Sequence, residues 1–413
     1  MSNDRLADSI CTVLIIATIG SFFSPPLGNV GAGLALALSL VLVLASAPAR
    51  ARLKAVVGQP LALGALGLFA TMTLAMVWAD ARWRLRFDAW WNWRVLLLLV
   101  LTAAAFGQAR WKRRFCMSLV AVLTSGAIVS FAMWWSNATM EPGFAGILLR
   151  NHVTQSMALT VGALLAAAFA LQSDRPTGSR FALAGAAVVC AANVVFVSAG
   201  RSGQVALVVA ALAGALLLLR ARRRWIALVA VPATAAMLVL ATPALRHHFK
   251  LVAQEAPSLD CSVETSTAVR LLLWRTTADL IRAHPWFGYG VGGFTPAFER
   301  QVPQEIRGQE FSGWCASTVH DPHNQFLRVA AEAGVLGLLA FLGFVVGAAR
   351  QPAAQPYRAC ALALLAAWCT TSLFNSHFQT FNEGHLIALL LGALLAPEDQ
   401  AASAANTALR TSS

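Results

Sequence analysis

Residues 198–225 read SAGRSGQVALVVAALAGALLLLRARRRW. Eighteen uncharged residues separate Arg201 from Arg220, and 205–219 hold only Val, Ala, Leu and Gly. At about 1.5 Å of rise per residue, such a helix covers roughly 27 Å, close to the ~30 Å hydrocarbon core of a bilayer. A barrel strand would alternate apolar and polar positions, and this run does not. Four arginines crowd one end and a single arginine between glycines stands at the other. The stretch reads as a membrane helix with its basic end in the cytoplasm.

The same pattern recurs along the chain. Apolar runs lie near 9–24, 27–47, 58–78, 95–109, 115–136, 152–172, 181–199, 202–219, 225–243, 326–349, 359–375 and 380–396, which predicts about twelve transmembrane helices and an all-α, polytopic integral membrane protein. With 58% hydrophobic and only 12% charged side chains among 413 residues, a soluble globule is excluded. The first run lacks a small-residue cleavage pattern leading to a soluble domain and is expected to be a retained helix.

Net charge is +13, which on a soluble chain would suggest nucleic acid. The connectors after even-numbered runs, together with the two tails, hold 17 of the 31 Lys and Arg against five acidic residues. Both termini are therefore expected on the cytoplasmic side, and the positive charge is mostly a topology signal. No nucleic-acid partner is expected.

This orientation places one long segment, 244–325, outside the cytoplasmic membrane, between 1–243 with nine helices and 326–413 with three more and a cytoplasmic tail. Its length predicts helices of its own and a function. Within it, 267–284 carry Val269, Leu272, Leu273, Leu280 and Ile281 on one helical face, and HPWFGYGVGG then breaks the helix. Cys261 and Cys315 are the two cysteines of the segment, and a disulfide between them is chemically permitted in an oxidising compartment.

Three charged features do not follow from membrane insertion alone. The sequence DARWRLRFDAWWNWR at 80–94 interleaves Arg82, Arg84, Arg86 and Arg94 with tryptophans on the side where positive charge is sparse. Interfacial anchoring and recognition of phosphorylated headgroups both fit it. Arg201, between glycines at a turn in the outer interface, fits a snorkelling residue or a cation serving an anionic substrate. HDPHNQFLRVAAEAG at 320–334 sets His320 and His323 ahead of a helix, with Asp321 and Asn324 able to orient an imidazole. Pro322 argues against a shared metal ligand pair on a helix, so a general base is the preferred use and no metal is expected. GYGVGG follows no strand, which removes a dinucleotide-binding context.

SAGRSG, STAVRLLLW followed by HPWFGYGVGGF, and HDPHNQFLRVAAEAG together resemble the O-antigen ligase (WaaL) family within the O-antigen ligase and polymerase superfamily. The resemblance implies a glycosyltransferase of the bacterial inner membrane acting on the periplasmic side. It would move O-antigen polysaccharide from undecaprenyl diphosphate to a hydroxyl of the lipid A core oligosaccharide in lipopolysaccharide biosynthesis, without cofactor or metal. By the same resemblance His323, Arg270 and Arg201 are catalytic, with His323 as base and the two arginines on the diphosphate. Arg275, His320, Asn324, Arg82, Arg84 and Arg86 are further candidates for substrate contact. A sugar diphosphate already carries a good leaving group, so cations for the departing charge and one base suffice, and direct attack predicts inversion.

Two rivals share the superfamily, an O-antigen polymerase and a protein O-oligosaccharyltransferase, and differ in acceptor. A flippase or transporter would use Arg201 as an anion site, but such folds usually show internal repeats, and none is convincing here.

Overall fold

The computed structural model describes residues 3–198, 200–241, 266–301 and 321–398. Its chain is helical almost throughout. Helices α1 (Asn3–Phe23) and α2 (Pro25–Ala45) form a first hairpin, followed by α3 (Ala47–Val57), α4 (Pro60–Leu74), α5 (Trp83–Trp91), α6 (Val95–Ala105) and α7 (Ala109–Trp135). A small antiparallel hairpin, β1 (Thr139–Glu141) and β2 (Phe144–Ala145), leads to α8 (His152–Ala170), α9 (Thr177–Phe196), α10 (Arg201–Leu218) and α11 (Ala221–Ala241). Beyond them lie α12 (Ser266–Ala283), α13 (Phe294–Gln301), α14 (Gln325–Arg350), α15 (Tyr357–Thr371) and α16 (Phe381–Leu394).

Each of the twelve apolar runs falls on a helix, but the expected count of twelve spans is not reproduced by length and apolarity. Among the described residues six helices meet both conditions, α1, α2, α7, α8, α9 and α14. The bent pair α3 and α4, meeting at 76°, makes a seventh if it is one span. Helices α6 and α15 have 11 and 15 residues and α11 has an internal proline, Pro232, so hydrophobic composition reached further along the sequence than regular membrane-long helix did. The chain is a multi-pass membrane protein in which short and broken helices share the interior with full-length ones.

Burial sorts the helices. Every residue of α16 after Phe381 is buried, as is nearly all of α8, although these helices include Thr154, Gln155, Asn382, Glu383 and His385. By contrast α2 and α9 leave most of their surface outside the packed interior, where lipid covers apolar side chains. Helix α10 packs on α15 and α8, α14 on α4, and α16 on α6. Polar side chains in the two central helices must find partners inside the protein, because hydrocarbon offers none.

The predicted helix over 267–284 is α12, and its buried Leu273 and Leu280 pack with Phe294, Ala297 and Phe298 of α13 and with Ala331 of α14. The GYGVGG stretch proves to be structural. Helix α14 is interrupted at Gly334 (φ +63°, ψ −156°), a region of backbone space that is essentially glycine's alone. The interruption leaves backbone groups to be paired elsewhere, and the 284–293 loop pairs them: Tyr289 N–H donates to Ala331 O at 2.8 Å, and Val335 N–H donates to Pro285 O at 2.8 Å. Val291 N–H also donates to Ala75 O at 3.1 Å, which fastens the loop to the end of α4. A Cβ on Gly290 (φ +79°) would lie within 2.3 Å of the Ala79 Cα, so close backbone approach accounts for the glycine.

Below this loop Glu332 is fully buried, 3.0 Å from Arg328, and accepts a hydrogen bond from Gly292 N–H at 3.2 Å. The Arg328 guanidinium lies 5.3 Å from the Phe294 ring. One carboxylate thus ties the first half of α14 to the glycine loop, while its neutralising arginine covers the base of α13.

Candidate functional site

Asn324 starts α14. Its Oδ1 accepts from Phe326 N–H and Leu327 N–H, both at 3.0 Å, while its Nδ2 donates to Leu373 O at 2.8 Å. A residue expected beside substrate is therefore engaged as a helix cap, through all its side-chain polar atoms. Just before it, Asp321 Oδ1 accepts His323 N–H at 2.9 Å and Ser376 Oγ–H at 2.6 Å. These bonds close a tight turn that puts His323 at φ +51°, in the left-handed region. The imidazole is thereby held ahead of the helix rather than along it.

Helix α12 reaches this turn through Trp274, whose Nε1–H donates to Pro322 O at 3.1 Å. Arg270 stands one helical turn earlier on the same face, which brings its charge up to His323. Burial pushes the His323 pKa below its ordinary value; the Asp321 carboxylate pulls it up, Arg270 lowers it and a hydrogen bond to the Asn375 side chain raises it. Burial leads, so the ring is neutral near pH 7, as a base must be. Arg275, beyond Trp274, is exposed.

The third expected residue begins α10. Arg201 is its first residue, and its neighbour Ser202 accepts a hydrogen bond at Oγ from Asn375 Nδ2, 2.7 Å away. Since Asn375 is also bonded to His323, an unbroken side-chain path joins the SAGRSG turn to the imidazole. The turn is pressed onto α8: a Cβ on Gly203 would lie 2.1 Å from the Ser156 Cβ. Segments around 201, 270 and 323, far apart in sequence, therefore meet at one end of the bundle.

The hub of that meeting, the 372–380 loop between α15 and α16, was not singled out from sequence. Gln325 N–H donates to Ser372 O at 2.8 Å, and Phe378 N–H donates to Gln325 Oε1 at 3.1 Å, so the loop is clipped to the first turn of α14. Its Asn375 and Ser376 reach His323 and Asp321. Nothing in FNSHFQ announces this; only the helix order that sets the loop over α10 and α14 does. His377 in the same loop is 1% exposed, with neither ring nitrogen hydrogen-bonded among the described residues. Burial holds its pKa low against the carboxylates of Glu383 and Asp321.

A second histidine that sequence did not mark flanks the site. His152, the first residue of α8, is gripped by Glu141, whose Oε2 accepts its backbone N–H at 2.7 Å while Oε1 lies 2.9 Å from Nδ1. Its ring stacks on Phe144 at 4.4 Å. Gly200 packs against this residue, since a Cβ there would lie 3.3 Å from His152 O. The starts of α8, α10, α14 and α16 thus gather at one end, and helix N-termini favour anions.

Arg82, Arg84 and Arg86 lie elsewhere on this end. Arg84 is exposed and 3.8 Å from Asp88, whereas Arg86 donates to Ala81 O at 2.8 Å and Met76 O at 3.3 Å. A Cβ on Gly292 would meet Leu85 O and Arg86, so α5 borders the glycine loop. His320, Cys261 and Cys315 lie outside the described residues. Among the described residues no three of His, Cys, Asp and Glu gather as metal ligands would.

Residues 186–342 match the family model described as O-antigen ligase. The match runs from the later part of α9 to within α14 and takes in Arg201, Arg270, Trp274 and His323. This similarity is consistent with a member of the O-antigen ligase and polymerase superfamily. No curated protein matches the chain.

Proposed function

We propose that the protein is an O-antigen ligase of the bacterial inner membrane, transferring a glycan from undecaprenyl diphosphate to a hydroxyl of the lipid A core oligosaccharide on the periplasmic side. The observation that carries this reading is the joining of His323, through Asn375, to the turn that begins with Arg201, with Arg270 beside the same imidazole. A base and two cations with a gathering of helix N-termini are what this transfer requires. His323 takes the proton of the acceptor hydroxyl as its oxygen attacks the anomeric carbon; the bond to the diphosphate breaks on the opposite face, and the carrier departs with the charge. Arg201 and Arg270 stabilise that charge, an effect worth a few kcal/mol per preorganised group. A positioned base adds roughly 10²- to 10⁴-fold. Attack opposite the leaving group inverts the anomeric configuration. The donor's polyprenyl chain lies among the apolar helices and the acceptor approaches from the outer leaflet, past α5.

The reading is tested by incubating purified protein with undecaprenyl-diphosphate glycan and lipid A core in EDTA. Glycan on the core, with inverted linkage, is the expected product. Chain growth on the carrier alone would make the protein a polymerase, and a retained linkage would overturn direct attack.

A further inference from the structure

We infer that Asn375 is a positioning residue that holds the His323 imidazole in one tautomer and ties it to the start of α10. The inference rests on the transferase reading for its catalytic meaning, but its structural content stands apart from it.

Asn375 is suited to this by the chemistry of its amide. Its nitrogen donates to Ser202 Oγ at 2.7 Å, which orients the group and leaves the carbonyl oxygen for the ring. An amide oxygen accepts, so the imidazole nitrogen facing it must carry the hydrogen and the other nitrogen keeps the lone pair. The contact favours the protonated ring, which is the effect of an acceptor and not of a donor. Asp321 acts on the ring through its charge, and the bonds of its Oδ1 go to the His323 backbone and to Ser376 Oγ. The amide is neutral, so it fixes the tautomer with less pull on the ring's basicity than a carboxylate would exert.

Asn375 touches His323 with one end and Ser202 with the other, and Ser202 follows Arg201 directly. The loop that carries Asn375 is held by Ser376 to Asp321 and by Phe378 to Gln325. Movement of α10 away from α14 would therefore have to break the bond between Asn375 and Ser202. A base one ångström out of place loses much of its advantage, since a near-attack geometry tolerates little error.

The test uses full-length protein in nanodiscs with ¹⁵N-labelled histidine. The His323 signals, identified by their loss in His323→Gln, are compared for wild type, Asn375→Leu, Asn375→Asp and Ser202→Ala. A single neutral tautomer is expected in wild type and Asn375→Asp, and a mixture in Asn375→Leu. In transfer assays Asn375→Leu should lose roughly 10- to 100-fold in kcat, with KM for both substrates within about threefold, because the base is misoriented while binding persists. Asn375→Asp should keep most of its kcat but move the acid limb of the pH profile upward, since a carboxylate added to that of Asp321 stabilises the imidazolium. Ser202→Ala should fall between wild type and Asn375→Leu. A single unchanged tautomer with wild-type kcat in folded Asn375→Leu would overturn the inference. So would an unmoved pH profile in Asn375→Asp. If wild type transferred nothing, the function would fall, yet the tautomer signals would still decide the role of Asn375.

Discussion

Replacing Glu332 with Ala should weaken the end of the molecule that carries His323, although the mechanism gives Glu332 no contact with substrate. The carboxylate is fully buried, 3.0 Å from Arg328 and 3.2 Å from Gly292 N. Removing one member of a buried ion pair costs about 3–5 kcal/mol, because the other charge stays behind in a poorly solvated place. The Gly292 N–H also loses its acceptor, at about 1–3 kcal/mol. The two losses share one carboxylate and do not simply add, so a total of roughly 4–6 kcal/mol is expected. In detergent the thermal midpoint should fall by roughly 5 °C or more. Transfer should fall too, since the glycine loop bridges α12, which bears Arg270, and the half of α14 that His323 precedes. The paired change Arg328→Leu with Glu332→Leu should recover most of the midpoint but not all of the transfer, because the loop still lacks its anchor. A Glu332→Ala protein with wild-type midpoint and wild-type transfer would refute the assignment of the loop to this carboxylate.

Three further outcomes are expected. Burial of the His323 ring places its pKa below 6.5, so transfer should persist under mild acidification and fade only as pH drops through that lower value; a pH–rate profile with its acid limb above 6.5 would contradict this. Gly334→Ala should lower the thermal midpoint sharply, since its Cβ would lie 2.3 Å from Trp286 backbone atoms at a φ of +63°; an unchanged midpoint would remove the strained break from the account. Arg84→Ala is expected to raise KM for the lipid A core without altering the midpoint, because its side chain is exposed, and the triple change with Arg82 and Arg86 should raise it further; unchanged kinetics would leave these residues as membrane anchors.

Much of this architecture is legible in the sequence because membrane insertion writes in long strokes. An 18-residue uncharged run between Arg201 and Arg220 fixes a helix whatever surrounds it. Where helices are short, composition misleads: 95–109 is uncharged and mostly apolar, yet α6 spans only 11 residues, and α16, buried after Phe381, contains Asn382, Glu383 and His385. These helices are shielded by protein, so the requirement for membrane-long apolar helix does not apply to them. The site divides along the same line. Arg201 and His323 stand out as charge and imidazole set beside apolar runs, whereas Arg270 is marked only by the resemblance that STAVRLLLW carries. Asn375 and Ser376 are ordinary in a loop and become meaningful only through the packing that lays 372–380 against α10 and α14. The glycines of GYGVGG were visible, but their purpose depends on a partner at Gly334 more than forty residues away.

Measuring donor binding and transfer separately in His323→Ala and Arg270→Ala decides whether His323 serves the chemistry and Arg270 the diphosphate. His323→Ala should bind undecaprenyl-diphosphate glycan as wild type does but transfer it at least about 10²-fold more slowly. Arg270→Ala should lose donor affinity as well as transfer. Equal transfer by His323→Ala and wild type, or full donor binding and transfer by Arg270→Ala, would overturn these two assignments.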